Sequence, residues 1–234
     1  MSAGNIPRRA LVTGGSSGIG KAIAEKFSAE GIEVRIADKT EYHGNAENIS
    51  FKSCDVARAG DINALFAWSH EKKDPDILVI NAGQGIQEKL TEGDPEKWQK
   101  VVDTNLMGAL RCIRAFVPAM LEKKKGHVVI ISSVAANQPH PYGGIYSATK
   151  TALEVVAETL RLETLPHISV TVVSPGITDT SFFKNQISGN SSVEELGMGS
   201  ISPEEIAKDV FYAISKKGGS SINKIITRPI NQSF

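Results

Sequence analysis

The sequence predicts a single α/β domain, residues 1–234, whose parallel sheet is covered by helices on both faces. Short apolar runs alternate with stretches of helical pattern along most of the 234 residues. The apolar runs are continuous rather than alternating with polar residues, which is typical of strands buried on both faces. A chain of this length can also bury a full hydrophobic core.

Composition and charge exclude several classes of function. Lys and Arg number 26, and so do Asp and Glu, so neither a nucleic-acid nor an anionic-membrane partner is indicated. The start of the chain, Met1–Arg9, has no apolar signal region, and no apolar run reaches about 18 residues, so we expect a cytoplasmic protein. Two cysteines, Cys54 and Cys112, form neither a disulfide framework nor a metal-ligand cluster, and no metal is expected.

The first strand, turn and helix form a candidate phosphate site. Ala10–Val12 is a short apolar run that leads into the glycine turn Thr13–Gly20, and the helix Lys21–Glu30 follows. Glycines let the backbone approach a pyrophosphate, and a helix N-terminus offers free N–H groups and a favourable dipole. The spacing differs from the usual G-x-G-x-x-G fingerprint, and a plain glycine-rich turn is the alternative.

The second strand, Glu33–Asp38, ends on a carboxylate that bears on the choice of cofactor. An acid at this point can accept hydrogen bonds from both ribose hydroxyls of an adenosine and repels a 2′-phosphate. A solvated turn aspartate is the alternative, and Lys39 weakens the argument against a 2′-phosphate. The glycine turn has Ser16 and Ser17 where a basic side chain could have bound the 2′-phosphate of NADP. The sequence therefore favours NAD, and NADP stays open.

The middle of the chain continues the alternation. The pattern predicts a strand at Ile49–Ser53, a helix over 59–70, a strand at Asp76–Ile80 and a helix that begins at Asp94 and runs to about Lys125. The last of these is too long for one ordinary helix, so a break is expected near Gly108. Gly83, just after the fourth strand, lets a cofactor pass close to the backbone.

The second half adds the remaining elements and a lid. The pattern predicts a strand at Gly126–Ser133, a polar loop over 134–145, a helix from Tyr146 to about Leu165, a strand at Ile168–Val173, a helix over 202–217 and a strand at Ile222–Thr227. The polar, Gly- and Ser-rich stretch at about 178–201 is interpreted as a mobile substrate lid. We expect the substrate pocket to be lined by loops 84–90, 134–145 and 178–201.

Tyr146 and Lys150 are the pair of residues that most strongly indicates acid/base chemistry. They are four residues apart on a predicted helix and therefore share one face. An ammonium beside a phenol is predicted to lower the Tyr146 pKa from about 10, which would suit a general acid or base. A Tyr and a Lys four residues apart on a helix are more often a solvated pair on the protein surface than a catalytic pair. Ser133 closes a buried strand, and open α/β folds place their chemistry at that end of a strand.

These motifs together resemble the short-chain dehydrogenase/reductase family over nearly the whole chain. The matching residues, in the family's order, are Thr13-Gly14-x-x-x-Gly18-x-Gly20, Asp55-Val56, Asn81-Ala82-Gly83, Asn105, Ser133, Tyr146-x-x-x-Lys150 and Pro175-Gly176. Each motif alone is weak to moderate, and jointly they are specific. The resemblance implies one Rossmann-like, doubly wound domain with a seven-stranded parallel sheet and a nicotinamide dinucleotide.

The resemblance also implies a role for each matching residue. Tyr146 would be the acid/base, Ser133 would hold the substrate oxygen, and Asn105 would hold a water in the proton relay. Lys150 would bind the nicotinamide ribose and lower the Tyr146 pKa. The implied cofactor-binding residues are Gly14, Ser16, Ser17, Gly18, Ile19, Gly20, Asp38, Asp55, Val56, Asn81, Ala82, Gly83, Tyr146, Lys150, Pro175, Gly176, Ile177 and Thr180. Ser132 is the weaker of the two serine candidates.

The expected activity is the interconversion of a secondary alcohol and a ketone or aldehyde with NAD or NADP. The segment Ile225–Gln232 is similar to that of members acting on small 3-hydroxy acids and related carbonyls. Those members commonly use NADP, whereas Asp38 favours NAD. A dinucleotide-sensing protein without turnover is the alternative function. The family suggests a homodimer or homotetramer formed through the helices at 96–124 and 146–165.

Overall fold

The computed structural model describes residues 8–189, 197–216 and 219–233. These residues build one sheet of parallel strands in the order β3-β2-β1-β4-β5-β6-β7. The strands are β1 Arg9–Thr13, β2 Glu33–Asp38, β3 Ile49–Ser53, β4 Ile77–Ile80, β5 Gly126–Ile131, β6 Ile168–Pro175 and β7 Lys224–Thr227. The helices are α1 Gly18–Ala29, α2 Ala59–Glu71, α3 Pro95–Val102, α4 Gly108–Glu122, α5 Gly144–Thr164 and α6 Pro203–Ile214.

Two hydrophobic cores lie on opposite faces of the sheet. One contains Phe27 from α1 and Ile206 from α6, and the other contains Leu65, Phe116 and Leu153 from α2, α4 and α5. Each such side chain stabilises the fold by about 1.5–3 kcal/mol when it leaves water. Because both faces are covered, the central strands are apolar throughout. The predicted seven-stranded, doubly wound Rossmann-like fold is therefore confirmed.

The ends of several predicted elements are shifted. The fifth strand ends at Ile131 rather than Ser133, so Ser133 lies in the turn that follows the strand. The first helix begins at Gly18 rather than Lys21, because the glycine turn is shorter than the pattern indicated. The last strand begins at Lys224 rather than Ile222. None of the described helices combines the length and apolar character needed to cross a membrane.

The long helical stretch after Asp94 is broken as predicted. A π-helical turn at Asp103–Met107 separates α3 from α4, and α4 begins at Gly108. A Cβ atom at Gly108 would lie 2.7 Å from Cγ2 of Val56, so this close approach requires glycine. Single π-helical turns are frequent at functional sites, and Asn105 lies in the middle of this one.

The order of the strands determines where a ligand site is expected. β1 lies between β2 and β4, so the chain winds in opposite directions from this point. The carboxyl ends of β1 and β4 therefore border a crevice, which is the usual ligand site of open α/β sheets. Of the predicted lid at 178–201, the stretch 190–196 lies outside the described residues.

Candidate active site

A cavity of about 460 Å³ lies at the carboxyl ends of the strands. This volume is within the range of about 300–1,000 Å³ that is typical of small-molecule sites. The predicted site residues that line it are Gly14, Ser17, Gly18, Ile19, Asp38, Asp55, Val56, Asn81, Ala82, Gly83, Ser133, Tyr146, Lys150, Pro175, Gly176, Ile177 and Thr180. Three predicted residues, Ser16, Gly20 and Asn105, are not part of the lining.

Ser16 and Gly20 shape the glycine turn instead of lining the cavity. A Cβ atom at Gly20 would lie 2.0 Å from the carbonyl oxygen of Gly14, so glycine here lets α1 pack against the turn. The N–H group of Ser16 donates to Oδ2 of Asp38 at 3.0 Å. The expected contact of both residues with the cofactor stays a prediction. Sequence spacing identified the turn but not which of its residues face inward.

The N-terminus of α1 faces the cavity with its N–H groups uncapped. Ser17 is the N-cap residue and makes no side-chain hydrogen bond to the helix. Ser17, Gly18 and Ile19 all line the cavity. A Cβ atom at Gly18, where φ is +50°, would lie 3.2 Å from Cγ2 of Thr180, so only glycine fits there without strain. An uncapped helix start beside glycine backbone fits the phosphates of a dinucleotide.

Asp38 is held in place by two backbone N–H groups. Oδ2 accepts from Ser16 and Oδ1 accepts from Thr40, at 3.0 and 3.1 Å. The carboxylate is therefore anchored to the glycine turn rather than free in solvent. Asp38 and Asp55 line the same end of the cavity, and Lys39 joins them there. Anchored carboxylates at the ends of β2 and β3 fit the hydroxyls of an adenosine ribose.

Asn81 connects β4 to the glycine turn. Its Nδ2 donates to the carbonyl oxygens of Thr13 and Gly14 at 3.0 and 2.9 Å. Its backbone N–H donates to Oγ1 of Thr13 at 3.0 Å. Both side-chain N–H groups are thus committed to holding the turn. Asn81 also lines the cavity, and its contact with a ribose stays a prediction.

The side chain of Asn105 is buried beneath the cavity and is fully engaged as a donor. Its Oδ1 accepts from the backbone N–H of Gln84 at 2.7 Å. Its Nδ2 donates to the carbonyl of Gln84 at 3.0 Å and to Oγ1 of Thr149 at 3.1 Å. Asn105 therefore joins the loop after β4 to α5. Its predicted hold on a relay water stays a prediction.

Ser133, Tyr146 and Lys150 converge on one wall of the cavity. Nζ of Lys150 lies 5.7 Å from the centre of the Tyr146 ring, so the two side chains share a helix face as predicted. Oγ of Ser133 accepts from the N–H of Ala135 at 3.2 Å, which starts the short 3₁₀ turn after β5. Ser132 Oγ donates to the carbonyl of Lys150 at 3.2 Å and thus supports α5.

The family of the chain follows from comparison with known proteins. The family model described as short chain dehydrogenase matches residues 8–191. The chain belongs to this family. An uncharacterized oxidoreductase of Staphylococcus saprophyticus is 31% identical, with 96% of each chain covered. Another, of Staphylococcus epidermidis, is 30% identical over 94% of this chain and 96% of that one.

Solved structures agree with this membership. The closed form of a serine dehydrogenase complexed with NADP⁺ has a TM-score of 0.88 and 27% identity, covering 97% of this chain and 96% of that one. Serine dehydrogenase from Escherichia coli has a TM-score of 0.84 and 26% identity, covering 97% of this chain and all 100% of that one. This short-chain dehydrogenase thus matches its relatives over nearly their full lengths.

The pKa of Tyr146 in this short-chain dehydrogenase is shifted in the direction opposite to the prediction. Burial raises it to about 12, although a hydrogen bond with Ser133 acts to lower it. The expectation that Lys150 acidifies the phenol is therefore wrong for this structure. The Lys150 ammonium donates to the carbonyl of Ile131 at 2.8 Å, and burial lowers the Lys150 pKa to about 8. Desolvation outweighs the attraction that the spacing suggested.

Gln84, Phe182 and Gln186 line the cavity from loops that the sequence assigned to the pocket, although no motif singles these residues out. Gln232, from the C-terminal segment, also lines the cavity and was not expected there. Oε1 of Gln232 accepts from the N–H of Ile177 at 3.0 Å, across 55 residues of sequence. No local pattern marks a contact over that separation. The three expected pocket loops do each contribute lining residues, and the predicted lid is held to the loop after β4 by the bond from Ile187 N–H to the carbonyl of Gly85 at 3.0 Å.

Proposed function

We propose that this chain is an oxidoreductase that interconverts a secondary alcohol and its ketone, or an aldehyde, with a nicotinamide dinucleotide and with Tyr146 as the acid/base. The observation that carries the proposal is the convergence of Ser133, Tyr146 and Lys150 on a cavity that the uncapped start of α1 also borders. Family membership supports it, and so does the structural relative that was solved with NADP⁺.

The residues that would hold the dinucleotide divide into three groups. The glycine turn and the start of α1 would hold the phosphates, Asp38 and Asp55 with Val56 would hold the adenosine, and Lys150 with Ile177 and Thr180 would hold the nicotinamide end. When bound, the dinucleotide supplies or accepts the hydride. Asp38 favours NAD because its anchored charge would repel a 2′-phosphate.

The proton is handled by the chain's own side chains. With a raised pKa, the phenol of Tyr146 is protonated at neutral pH and is ready to donate to a carbonyl oxygen. The hydroxyl of Ser133 would hold that oxygen in place. The reverse reaction needs Tyr146 deprotonated, so it is favoured at high pH. A protonated Tyr146 phenol therefore suits carbonyl reduction near neutral pH.

The substrate is proposed to be a small hydroxy acid or a related carbonyl compound. The likeness of Ile225–Gln232 to such members supports this class. The two serine dehydrogenases among the structural relatives act on a small hydroxylated compound by name, which agrees with it.

The test is turnover followed at the nicotinamide absorbance band with a panel of alcohols and carbonyls. The wild-type chain should oxidise or reduce at least one member of the panel. Tyr146→Phe should abolish turnover and leave dinucleotide binding intact, because the ring stays and only the proton carrier is removed. Near-native kcat in the Phe variant would overturn the role of Tyr146. Tight dinucleotide binding without turnover of any compound would instead support a dinucleotide sensor.

We also propose that the chain forms a homodimer or homotetramer through the helices at 96–124 and 146–165, which are α3, α4 and α5. Val155 and Leu162 are 63% and 57% exposed, and because they are seven residues apart on α5 they lie on one face of the helix. Their burial against a second copy would account for them. Light scattering after gel filtration should give two or four chains per particle, and Leu162→Glu should lower that number.

A further inference from the structure

Glu88 joins the three loops that line the cavity. It lies in the loop after β4, and Gln87, directly before it, is part of the lining. The backbone N–H of Glu88 donates to the carbonyl of Tyr142, in the loop before α5, at 2.9 Å. Its Oε1 accepts from Oγ of Ser188, which lies in segment 181–189 of the predicted lid. One residue of the first loop therefore bonds to both of the others.

The carboxylate of Glu88 is held in place by the start of α3. Oε2 accepts from the N–H of Asp94 at 3.0 Å and from Nε1 of Trp98 at 2.8 Å. Oε1 accepts from Nζ of Lys97 at 3.2 Å in addition to Ser188. The side chain is only 12% exposed, and the bond from Ser188, together with the others, lowers its pKa to about 2. Glu88 is therefore charged at neutral pH, and a charged acceptor makes stronger hydrogen bonds than a neutral one.

The segment that contains Ser188 runs beside the loop after β4. The N–H of Ile187 donates to the carbonyl of Gly85 at 3.0 Å, and the N–H of Gln87 donates to the carbonyl of Ser188 at 3.1 Å. The side-chain bond from Ser188 to Glu88 is made at the same place. A charged and anchored side chain therefore reinforces two main-chain bonds between the segment and the loop.

The same segment carries an aromatic ring that packs against the candidate acid/base. The ring centre of Phe182 lies 5.6 Å from that of Tyr146, and the ring of Phe183 lies edge-on to Phe182 at 5.7 Å. A Cβ atom at Gly85 would lie 2.9 Å from Cζ of Phe182, so this ring also packs on the loop after β4. The position of the segment thus determines which side chain lies beside Tyr146.

We propose that Glu88 is a positioning residue for the reaction. By accepting from Ser188 it holds segment 181–189 against the loop after β4, and it thereby keeps Phe182 beside Tyr146. Glu88 is not itself part of the cavity lining, so it acts through the segment and not on the substrate. A lid that is held loosely misplaces the substrate, and a shift of about 1 Å can lower the rate about a hundredfold. This inference rests on the proposed function, which assigns the proton transfer to Tyr146.

Ser188→Ala tests the contact with the smallest change, because it removes one hydroxyl and leaves Glu88 bound to α3. With the compound that the wild type turns over best, kcat/KM should fall about tenfold, as expected for one hydrogen bond to a charged acceptor. The affinity for the dinucleotide should be unchanged, since the phosphate site at the start of α1 lies elsewhere. Ser188→Thr keeps the hydroxyl and should restore most of the lost kcat/KM.

Trypsin measures whether the segment opens, because the exposed Lys184 lies within it. Cleavage of the native chain after Lys184, followed by mass spectrometry, should be about tenfold faster for Ser188→Ala than for the wild type. Ser188→Thr should be cleaved at nearly the wild-type rate. Ser221→Ala is the matched control, because Oγ of Ser221 also donates to a side chain, Oδ1 of Asn223 at 2.9 Å, and neither residue lines the cavity. It should change neither kcat/KM nor cleavage.

Glu88→Gln tests whether Glu88 is the partner through which Ser188 acts. It keeps the length of the side chain and removes the charge. Ser188→Ala should change kcat/KM and cleavage less in this background than in the wild type, because the two residues share one bond. Glu92→Gln removes an exposed carboxylate four residues further on, which pairs with Lys89, and Ser188→Ala should keep its full effect in that background. Additive effects of Glu88→Gln and Ser188→Ala would overturn the role of Glu88.

The outcomes separate this inference from the proposed function. Equal cleavage of Ser188→Ala and the wild type overturns the inference whatever the activity, and faster cleavage with unchanged kcat/KM overturns it while the oxidoreductase stands. If no compound of the panel turns over, the proposed function fails and the cleavage rates decide. Faster cleavage of Ser188→Ala that Ser188→Thr reverses then supports the hold of Glu88 on the segment, and equal rates overturn it.

Discussion

Nζ of Lys150 lies 5.7 Å from the centre of the Tyr146 ring, and its hydrogen bond goes to the main-chain carbonyl of Ile131. Lys150 is only 4% exposed, and its burial lowers its pKa to about 8. Because a buried ammonium loses its hydration, the charge of Lys150 lowers the stability of the folded chain. Proteins often accept such a cost where an active site requires the group.

Lys150→Met should remove a pH-dependent part of the stability. The folded chain releases the Lys150 proton near pH 8, and the unfolded chain releases it near the ordinary pKa of 10.5. The cost of burying the charge is fully present below pH 8 and disappears as the pH rises to 10.5. The variant should therefore gain about 3 kcal/mol more over the wild type at pH 7 than at pH 10.5. Urea unfolding of both proteins at the two pH values measures this.

The same substitution should also reduce turnover, by about a hundredfold or more if Lys150 assists proton transfer. Loss of activity together with a gain in relative stability at pH 7 is the signature of a group kept for function. A stability difference that stays constant between pH 7 and pH 10.5 would contradict the burial of a charged ammonium.

Asp38→Asn should shift the choice of cofactor towards NADP. Asparagine keeps one oxygen and so can accept from only one of the two N–H groups, of Ser16 or of Thr40, so the turn keeps one of its two anchors while the negative charge is lost. We expect the ratio of kcat/KM for NADP over NAD to rise about tenfold, since a nearby charge acts directly on a 2′-phosphate. Asp38→Ala, which loses both anchors, should weaken binding of both dinucleotides. An unchanged ratio in the Asn variant would assign Asp38 to the turn alone.

The elements of this fold could be predicted because their signals are local. Continuous apolar runs predicted the buried strands, and the i, i+4 spacing placed Tyr146 and Lys150 on one face. The glycine turn could also be predicted, because its glycines are close together in the sequence. Properties that depend on packing could not be predicted in this way, and the Tyr146 pKa is the clearest case, because its direction is determined by burial.

Long-range contacts account for the rest of what the sequence did not show. Arg35 is fully buried within a predicted strand because its guanidinium donates to the carbonyls of Ser69, Lys72 and Lys73 at the end of α2. Gln232 lines the cavity from the C-terminal segment and accepts from the N–H of Ile177 across 55 residues of sequence. Neither contact leaves a trace in the residues adjacent to it in sequence.

Gly20→Ala should abolish dinucleotide binding at a large cost in stability. The added Cβ would lie 2.0 Å from the carbonyl oxygen of Gly14 and 2.5 Å from Nδ2 of Asn81, so the turn must move. Overpacking of this kind costs about 1–3 kcal/mol or more. Gly60→Ala in α2 is the matched control, because no atom lies within 4 Å of its added Cβ, and it should be neutral or slightly stabilising. Thermal unfolding and dinucleotide titration of both variants measure the contrast, and equal behaviour would contradict it.

Glu154 links the ends of three neighbouring strands behind the active site. Oε1 accepts from Oγ of Ser174 at 3.0 Å and from Nδ2 of Asn137 at 3.2 Å, and Oε2 accepts from Nζ of Lys224 at 2.7 Å. Oε1 also receives a longer bond, of 3.4 Å, from Oγ of Ser132. Ser132 precedes Ser133 directly, so Glu154 helps to position the serine proposed to hold the substrate oxygen.

Glu154→Leu should destabilise the fold by about 1–2 kcal/mol, because it removes the acceptor of the partly buried hydroxyl of Ser174, whereas Asn137 and Lys224 are exposed and can turn to water. Its kcat should fall while its affinity for the dinucleotide is retained, since the glycine turn lies elsewhere. Glu154→Gln keeps an acceptor oxygen and the length of the side chain, so it should recover most of the lost stability and most of the lost kcat. Glu158→Leu is the control, because Glu158 is an exposed carboxylate one helical turn further along α5, and it should change stability and kcat little. Urea unfolding, kcat and dinucleotide affinity measured together distinguish the cases. A loss of stability without any loss of kcat would show that Glu154 supports the sheet and does not position Ser133.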